Sequence, residues 1–599
     1  MFMKIKKEKK MNKKDYDILK EIFLNGKSNQ RDLAKNSGYS LGSVNTSIKN
    51  LIRSGFIDNN MGLTNKSIKE IKQKKPKNAI ILAAGFGMRM VPINLEFPKG
   101  IIEVKGERLI ERIIKQLHEV GIKEIIVVVG FMKECYEYLI DKYGVKLVVN
   151  MEYSYKNNLH SMRCVLRYLS NTYIVPCDIW CNDNPFGKEE LYSWYMVNDK
   201  LTNNCNVKIN RKSELIVTSN LEDCNELLGI AYLTKEKSDI LKKNIENMCK
   251  NSKFNNAFWE EALFEKQKMI LFPKVVNSSK VIEINTYEQL REFDNKSKDL
   301  DNEAIKTISK VFNIKEEKII DIKVLKKGMT NRSFSFTCKN KKYIMRIPGE
   351  GTDQLINRDE EANVYKVING RSISDNIVYI NPKNGYKITE YFQNARTCDP
   401  FNQNDIKRCM NKLREFHELK LRVKHEFDIF KQINFYESLW KEKSSMYEDY
   451  NKTKENILSL KPFVECYATE KVLTHIDAVP DNFLFIKDDS NLEETVRLID
   501  WEYAGMQDPH VDIAMFCIYS LYNKEQIDNL IETYFYEGCS QTIKVKIYCY
   551  IAICGLLWSN WCEYKCSLGI EFGEYSLQQY RYAKEYYNIV QNELKKMRK

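Results

Sequence analysis

A cluster of polar residues in the C-terminal half constrains the fold more than any other feature of this 599-residue chain. His475, Asp477 and Asn482 follow the pattern H-x-D-x-x-x-x-N. A predicted strand starts at Asn482, a polar turn follows, and a second strand leads to Asp500. Since the two strands of a hairpin run in opposite directions, the start of the first lies beside the end of the second. The spacing therefore predicts that Asp477, Asn482 and Asp500 share one end of a hairpin.

This arrangement is that of the kinase catalytic loop and its metal-binding aspartate. Asp477 would orient and deprotonate a substrate hydroxyl, while Asn482 and Asp500 would hold Mg²⁺ across the phosphates of ATP. The upstream sequence agrees: it contains a turn able to cover phosphates, a strand ending in a cation, a helix with a possible partner for that cation, and a segment resembling the adenine-binding hinge. These nucleotide-binding candidates are Thr330, Asn331, Arg346, Glu361 and Glu390.

Three segments carry a more specific resemblance. GMTNRSFSF (328–336), HIDAVPDN (475–482) and IDWEYAG (499–505) resemble choline/ethanolamine kinases, and the resemblance covers nearly all of residues 305–590. It implies a protein-kinase-like domain over residues 300–599, with His475 and Asp477 in its catalytic loop. The related aminoglycoside phosphotransferases share H-x-D-x-x-x-x-N, but they match IDWEYAG less well.

The resemblance also implies an aromatic box for a quaternary ammonium group. Trp558 and Trp561 are three residues apart, so a helix would place both on one face. Aromatic ring faces attract a cation that has no N–H to donate. The box would hold choline and would consist of Tyr503, Trp558, Trp561 and either Tyr580 or Tyr582. The alternative is that these rings only pack in a core.

The middle segment opens with a short apolar run, AIILAA (79–84), that is typical of a buried parallel strand. The run continues into Gly85, Gly87 and Arg89, and Lys99 follows. The two glycines let the backbone curl round a polyphosphate and offer N–H groups to it. Arg89 adds a forked guanidinium and Lys99 a compact ammonium group, and both can bind phosphate oxygens. The pattern is neither a P-loop, which needs GK[ST], nor the dinucleotide fingerprint, which needs a third glycine.

Strand, loop and cations in this order resemble the signature of the sugar-nucleotidyltransferase fold. The matching residues are Leu82, Ala83, Ala84, Gly85, Gly87, Arg89, Pro98 and Lys99. The resemblance implies a doubly wound, Rossmann-like domain over residues 78–295, in which Arg89 and Lys99 act on a nucleoside triphosphate. It also implies that Asp178 holds Mg²⁺ together with Asn285, whose neutral carbonyl is the weaker ligand. A helix N-cap is the alternative role for Asp178.

Shorter segments point to the substrate of this domain. Asn157, Asn158 and Ser161 match the NN-x-x-S segment of bacterial phosphocholine cytidylyltransferases, and residues 227–231 and 258–261 resemble other segments of that family. The resemblance implies CTP and phosphocholine as substrates. A trimethylammonium group favours aromatic faces and a carboxylate. The candidates are Trp180, Trp194, Tyr232, Trp259 and Glu260, of which Trp259 and Glu260 lie in a resembling segment.

The net charge of +13 is concentrated in the head, residues 1–77. The head contains 19 Lys and Arg against 7 Asp and Glu, whereas the other 522 residues contain 75 against 74. Its pattern predicts helices at 15–24, 29–36 (capped by Ser28) and 41–54, followed by a strand-turn-strand. This order resembles a winged helix, whose third helix enters the DNA major groove. The residues facing DNA would be Ser43, Asn45, Thr46, Lys49 and Arg53. The alternative is a dimerisation or regulatory module.

Two polar segments, 71–77 and 294–303, are predicted linkers, so the chain is expected to be multidomain, with α/β and α+β parts. The longest apolar run, 547–558, is too short to span a bilayer. The basic N-terminus leads to no apolar signal region. Seventeen cysteines without CxxC pairs favour reduced thiols in the cytoplasm.

Together these patterns predict two consecutive reactions that depend on Mg²⁺. Choline and ATP would give phosphocholine, and phosphocholine and CTP would then give CDP-choline. One alternative is a sugar-1-phosphate nucleotidyltransferase fused to a sugar or aminoglycoside kinase; another is a choline-sensing transcription regulator with degenerate enzyme domains. The tryptophan pair argues against the first, and the intact polar motifs argue against the second. The choice between choline and ethanolamine and the oligomeric state stay open.

Overall fold

The computed structural model describes residues 11–26, 29–95, 97–203, 205–218, 224–325, 331–349, 352, 355–440, 444–487, 494–568 and 572–598. The chain divides into two compact units, Met1–Lys306 and Thr307–Lys599. The head and the middle segment both belong to the first unit.

The head forms four helices within the described residues, one more than predicted. They are α1 (Lys13–Asn25), α2 (Gln30–Ser37), α3 (Leu41–Arg53) and α4 (Asn65–Gln73). The N-cap of α2 is Asn29, whose side chain accepts the N–H groups of Arg31 and Asp32; Ser28, the predicted cap, lies outside the described residues. The predicted strand-turn-strand is reduced to one antiparallel bridge between Ile57 and Leu63.

The head packs directly on the next segment. Leu191 is buried in the core of the head, and the Tyr192 hydroxyl donates to Asp17 Oδ1 over 2.6 Å. Lys20 forms an ion pair with Glu190 at 3.1 Å. The predicted linker at 71–77 is packed against its surroundings, since Ile71 is buried in α4 and the Asn171 amide donates to the backbone carbonyl of Lys75.

The segment predicted as the second linker is also anchored. The carboxylates of Asp294 and Asp299 accept the backbone N–H groups of Lys105 and Glu103. Short polar residues that satisfy a neighbour's backbone look like linker residues in a sequence, because composition does not reveal their partners.

The middle segment is built round a seven-stranded sheet with strand order β14-β8-β11-β6-β1-β4-β5. Its strands are β1 (Asn78–Ala83), β2 (Glu103–Val104), β3 (Glu107–Arg108), β4 (Glu124–Val129), β5 (Lys146–Val149), β6 (Thr172–Pro176), β7 (Ile179–Cys181), β8 (Trp194–Thr202), β9 (Val207–Ile209), β10 (Leu215–Val217), β11 (Cys224–Leu233), β12 (Phe264–Glu265), β13 (Lys268–Met269), β14 (Phe272–Val276) and β15 (Val281–Glu283). Its helices are α5 (Leu109–Glu119), α6 (Leu139–Tyr143), α7 (Asn158–Arg163), α8 (Lys235–Met248), α9 (Tyr287–Phe293) and α10 (Glu303–Phe312), which crosses into the second unit.

Strand β1 lies at the centre of the parallel part of this sheet, between β4 and β6. Its uninterrupted apolar run is buried on both faces, as expected for a central parallel strand. Because Leu82 pairs with Pro176, the loop after β1 and the loop after β6 leave the sheet side by side. This is the edge where open α/β sheets bind ligands.

The second unit begins with an antiparallel sheet of order β16-β17-β18-β20-β19 and continues into a helical part. The strands are β16 (Ile320–Val324), β17 (Asn331–Cys338), β18 (Lys341–Pro348), β19 (Ile377–Asn381), β20 (Tyr386–Glu390), β21 (Arg396–Thr397), β22 (Val472–Thr474), β23 (Phe483–Ile486), β24 (Thr495–Leu498) and β25 (Gly505–Gln507). The helices are α11 (Arg358–Ile368), α12 (Gln403–Glu418), α13 (Ile429–Ser438), α14 (Tyr450–Leu458), α15 (Lys461–Cys466), α16 (His510–Tyr519), α17 (Lys524–Tyr534), α18 (Gln541–Ser567) and α19 (Glu574–Met597).

The predicted hairpin is present. Strands β23 and β24 pair with Phe483 opposite Leu498, and the Ile499 N–H donates to the Asn482 carbonyl over 2.9 Å. Helix α18 contains the apolar run 547–558. By length and composition it could cross a membrane, but 83% of its most apolar window is buried inside the protein. It packs against α16 and α19 and forms the core of this unit.

Candidate active sites

A cleft of about 780 Å³ opens at the carboxyl ends of β1 and β6. Gly87 takes a left-handed φ of +61° there, and a Cβ at this position would lie 3.2 Å from Lys99 Cβ. Only glycine therefore lets the loop run this close to Lys99. The predicted signature residues that line the cleft are Leu82, Ala84, Gly85, Gly87, Arg89 and Lys99, while Ala83 is buried in β1.

Four residues from distant parts of the sequence meet in this cleft. Lys99 Nζ donates to Asp178 and, over 2.7 Å, to Asn285 Oδ1. Arg89 Nη2 donates to the same Asn285 oxygen over 2.9 Å. The structure thus brings together both predicted cations and both predicted metal ligands, and the Asn285 carbonyl already accepts from the two cations.

The donor set at this edge fits a hard divalent cation. Asp178 Oδ1 is buried and has no hydrogen-bond partner in the protein. Glu283, which the sequence prediction leaves without a role, lines the same cleft, and burial together with the Asp178 charge raises its pKa. Within the described ranges no three His, Cys, Asp or Glu residues cluster to form a metal site. Proteins commonly bind Mg²⁺ through one or two carboxylates together with water and substrate phosphates.

Trp259 and Glu260 line the same cleft. Glu260 Oε1 accepts from the Tyr195 hydroxyl over 3.0 Å, while its Oε2 is buried without a partner. Burial raises the pKa of Glu260 to about 7. The sequence prediction named Trp194 on β8 and not its neighbour Tyr195. Successive side chains of a strand point to opposite faces, and it is Tyr195 that lines the cleft.

The other three cage candidates lie elsewhere. The Trp180 ring faces the Arg112 guanidinium at 4.1 Å, and the Trp194 ring faces the Lys274 ammonium at 4.0 Å. The Tyr232 hydroxyl donates to the Lys74 carbonyl. Each therefore has a structural partner away from the cleft.

In the second unit, Asp477 and Asn482 lie in contact. Asn482 Nδ2 donates to Asp477 Oδ2 over 3.0 Å, which leaves the Asn482 amide oxygen for another partner. Asp500 has a left-handed φ of +67°, and its buried Oδ1 accepts no hydrogen bond from the residues that the structure describes. These two oxygens fit the predicted Mg²⁺ site. Burial and the charges of Asp500 and Glu502 raise the pKa of Asp477 to about 8.

The backbone of this loop is held by Asp512, which the sequence prediction missed. Its carboxylate accepts the N–H groups of His475 (3.0 Å) and Ile476 (2.7 Å) and contacts His417 Nε2 (3.0 Å). Ile476 has a φ of +70°, an outlier for a β-branched residue. The buried carboxylate therefore stabilises a backbone conformation that the side chain disfavours.

His475, predicted in the catalytic loop, is enclosed by its neighbours. The side chain is completely buried, its Nε2 lies 3.0 Å from the Ile499 carbonyl, and its ring lies 4.4 Å from that of Trp501. Burial lowers the pKa of His475 to about 4. These contacts join the loop to the segment before Asp500 and suit a residue that positions the loop.

The predicted pair of Arg346 and Glu361 is present as a bidentate contact at 2.5 and 2.8 Å. Two unpredicted residues extend it. Arg358 Nη1 lies 3.0 Å from Glu361 and 3.3 Å from Glu502, and Glu502 lies 3.8 Å from Arg346. The four side chains form a buried ring of alternating charge that joins β18, α11 and the loop after Asp500. No spacing rule in the sequence links Arg358 to Glu502.

The remaining nucleotide-binding candidates are partly described. The Asn331 amide donates to Glu502 over 2.8 Å, so it touches the same ring. Glu390 ends β20 and accepts from the Asn376 amide over 2.7 Å. Thr330 lies outside the described residues.

Tyr503, Trp558 and Trp561 form an edge-to-face cluster. The ring centroids of Tyr503 and Trp558 are 5.5 Å apart, and those of Trp558 and Trp561 are 5.4 Å apart. Within the described residues the next ring against Trp561 is that of Phe572, at 5.3 Å.

Neither tyrosine predicted as the fourth ring joins that cluster. Tyr580 stacks on Tyr447 at 3.9 Å and donates to Asp449, and the Tyr582 hydroxyl donates to the Tyr522 carbonyl. Both side chains have partners that the helical pattern of α19 does not reveal, and the fourth ring of the box stays a prediction.

Helix α3 exposes a basic face in the head. Thr46, Lys49 and Arg53 are exposed, whereas Ser43 and Asn45 are half-buried. Ser40 caps the helix by accepting the Ser43 N–H. Three of the five predicted contact residues are therefore accessible.

Comparison with known families agrees with this architecture. The choline/ethanolamine kinase family matches residues 322–534, the MobA-like NTP transferase domain matches residues 79–186, and the winged helix-turn-helix DNA-binding family matches residues 11–58. The chain therefore joins a winged helix, a nucleotidyltransferase domain and a choline/ethanolamine kinase domain, which confirms the predicted domain types.

Several relatives are named for related activities. Choline-phosphate cytidylyltransferase of Streptococcus pneumoniae is 28% identical over 222 residues, which cover 36% of this chain and 96% of that protein. Protein LicA of Haemophilus influenzae is 29% identical over 271 residues, which cover 42% and 95%. The crystal structure of choline kinase LicA from Streptococcus pneumoniae is 26% identical, covers 47% of this chain and 96% of that one, and has a TM-score of 0.42.

The anchoring role of Asp512 can be tested by hydrogen exchange. Asp512→Asn keeps the side-chain size but replaces one accepting oxygen with an N–H donor. A hydrogen bond to a charged group contributes about 1.5–3 kcal/mol, and about 1.4 kcal/mol corresponds to a factor of ten. We therefore expect mass spectrometry of peptides spanning 472–479 to show amide exchange at least ~10-fold faster.

Asp428→Asn is the matched control. Asp428 also accepts two backbone N–H groups, those of Phe430 and Lys431, but it does so as a helix N-cap, where Asn serves equally well. Exchange around residues 428–432 should not change. Unchanged exchange at 472–479 in Asp512→Asn would contradict the anchoring role.

Proposed function

We propose that the chain makes CDP-choline in two steps. The kinase domain transfers the γ-phosphoryl group of ATP to choline, and the nucleotidyltransferase domain transfers the cytidylyl group of CTP to the resulting phosphocholine. The observation that carries the proposal is the edge-to-face cluster of Tyr503, Trp558 and Trp561 in the unit that contains Asp477. Such a cluster suits a cation without N–H groups. The names of the relatives of both domains support the same substrates.

In the kinase step the choline oxygen attacks the γ-phosphorus of ATP, the bond to the β-phosphate oxygen breaks, and ADP leaves. Asp477 orients the hydroxyl and takes its proton. Because its pKa is raised to about 8, the carboxyl must first lose its own proton, and once ionised it is a stronger base than an exposed aspartate. Arg346, held by the charge ring, faces Asp500 at 3.7 Å and is placed to contact the phosphates.

In the second step a phosphocholine oxygen attacks the α-phosphorus of CTP and pyrophosphate leaves. The phosphate monoester has a second pKa near 6 and is largely ionised at pH 7, so no general base is needed. Arg89 and Lys99 neutralise the charge on the triphosphate, and Glu260 and Trp259 receive the trimethylammonium group.

Both clefts have oxygen donors suited to Mg²⁺, namely Asp178 and Asn285 in one and Asn482 and Asp500 in the other. When bound, Mg²⁺ neutralises charge on the reacting phosphates. We place both reactions in the cytoplasm, where the domain types and the nucleotide substrates fit. The aromatic cluster disfavours the alternative pairing of a sugar-1-phosphate nucleotidyltransferase with a sugar or aminoglycoside kinase. An uncharged sugar gains little from a cation site, and the ammonium groups of an aminoglycoside carry N–H donors that ring faces do not satisfy.

The two activities should be separable by mutation. With labelled choline, ATP, CTP and Mg²⁺, the wild type should form CDP-choline. Asp477→Asn should lower formation from choline by about 10²–10⁴-fold, the usual contribution of a general base, yet leave formation from supplied phosphocholine unchanged. Lys99→Ala should accumulate phosphocholine. Chromatography of the labelled products measures all three.

Lys105→Ala is the control for Lys99, since Lys105 belongs to the same unit but faces the Phe293 ring at 3.9 Å. It should behave as wild type. A wild-type enzyme that ignores choline and phosphorylates another alcohol would contradict the proposed substrate.

The pKa of Glu260 leads to a prediction about pH. Because burial raises this pKa to about 7, the carboxyl is protonated below pH 7 and ionised above it, and only the ionised form attracts the trimethylammonium group. We expect kcat/KM for phosphocholine to fall as the pH drops from 8 to 6. In Glu260→Gln this fall should be absent apart from the titration of the substrate phosphate near pH 6.

At pH 8 the Glu260→Gln variant should show a KM for phosphocholine raised by roughly tenfold, the scale of a desolvated cation contact. The two enzymes should converge at pH 6. If kcat/KM for phosphocholine depends on pH in the same way in the wild type and in Glu260→Gln, Glu260 does not bind the trimethylammonium group.

A second function, DNA binding, is favoured by the exposed basic face of α3. We propose that Lys49 and Arg53 contact phosphates. Random duplex DNA should bind the full chain with an affinity that falls steeply as salt rises. Lys49→Gln with Arg53→Gln should weaken binding and reduce the salt slope by about two. Absence of any shift at low salt would contradict this function. The full chain is used because Leu191 of the transferase domain completes the core of the head.

A further inference from the structure

A second cavity, of about 350 Å³, lies between the head and the transferase sheet. The head contributes Met11, Tyr16 and Lys74, and the sheet side contributes Tyr192 and Phe272. The volume falls within the range of small-molecule sites. None of these residues lines the catalytic cleft, so the two reactions leave the cavity without a role.

Aromatic rings form a continuous wall of this cavity. The ring centroids of Tyr16 and Tyr192 are 5.8 Å apart, and those of Tyr192 and Phe272 are 5.7 Å apart. All three side chains are half-buried. The wall therefore crosses from the head to the sheet.

Two of these rings already attract cations. Lys74 Nζ lies 4.5 Å from the Tyr16 centroid, and Lys13 Nζ lies 5.8 Å from the Tyr192 centroid. Such distances are those of cation–π contacts. A small cationic ligand would meet the same surfaces.

The lining is balanced in charge. It contains the ammonium groups of Lys74, Lys237 and Lys268 and the carboxylates of Glu214, Glu236 and Glu265. Lys268 pairs with Glu214 at 2.6 Å, and Lys74 pairs at 2.7 Å with Glu70, which lies outside the lining. The preference for a cation therefore comes from the aromatic rings and not from the net charge of the lining.

We propose that this cavity binds a small organic cation of the quaternary ammonium class, for which choline is the probe. The ligand would lie against Tyr16 of the head and Phe272 of the sheet, outside both catalytic clefts. Bound there, it would join the head to the transferase domain. This site goes beyond the two reactions, because neither of them needs a ligand at the head.

The test is equilibrium dialysis of the full chain with labelled choline and no nucleotide. Trp561→Ala removes the proposed kinase pocket, and Tyr503→Ala provides a second background in case the first does not fold. In either background we expect about one choline per chain to remain bound, as a single quaternary ammonium site would hold. Adding Tyr16→Leu or Phe272→Leu should weaken this binding by at least ~10-fold, because each removes a ring but keeps apolar volume.

Tyr168→Leu is the matched control. The Tyr168 ring faces Arg167 at 4.8 Å and Lys146 at 5.8 Å in the same unit, but it does not line the cavity. Its loss should leave choline binding unchanged. Tetramethylammonium should compete with choline, whereas 3,3-dimethylbutan-1-ol, the uncharged isostere, should not.

Choline binding that persists in both Tyr16→Leu and Phe272→Leu would overturn the proposal. Choline binding that is lost in Glu260→Gln would also overturn it, because the ligand would then lie in the transferase cleft. The Tyr16→Leu variant alone should convert choline to CDP-choline as fast as the wild type does.

A wild-type chain that does not make CDP-choline from choline would contradict the proposed function but not the cavity site. Failure of the cavity proposal and failure of the proposed function are therefore distinguishable.

Discussion

Both candidate sites are built round carboxylates that lie in contact with fixed cations. In the transferase cleft Lys99 contacts Asp178, and in the kinase cleft Arg346 and Arg358 surround Glu361. Removing one partner of a buried pair typically costs about 3–5 kcal/mol, because the other charge is left uncompensated. The pKa of Glu361 accordingly falls to about 2, with the Arg346 charge opposing the effect of burial. Where no cation compensates, as at Glu260, burial dominates and the pKa rises.

This dependence explains which parts of the sites could be predicted. Residues joined by short spacing, such as Asp477 and Asn482, follow from the sequence because one loop carries both. Lys99 and Asp178 follow because parallel neighbouring strands bring their ends together, although the residues are 79 positions apart. Motif and topology thus determine the reacting groups, and the predicted hairpin and domain types are confirmed.

The supporting residues could not be predicted in the same way. Asp512, Arg358 and Tyr195 lie on elements whose contacts with the site are set by packing, and no periodicity marks them. Asp512 reads as an ordinary acidic residue in the first turn of an apolar helix. The hydroxyl partners of Tyr580 and Tyr582 could not be predicted either, because they lie on other elements. The anchoring of the polar segments predicted as linkers could not be predicted for a related reason, because their side chains satisfy backbone groups of other elements.

Under the proposed reactions the two clefts meet the same ammonium group in different ways, and the charge of each substrate explains why. Choline is a monocation, and the aromatic cluster meets its ammonium group with uncharged ring faces, while the carboxylates of Asp477 and Glu502 act on the neighbouring Tyr503. Phosphocholine also carries a phosphate, and Arg89 and Lys99 lie at one end of the transferase cleft, where they attract this group. A carboxylate at the other end, Glu260, then restores the charge balance and sets the direction in which the substrate enters.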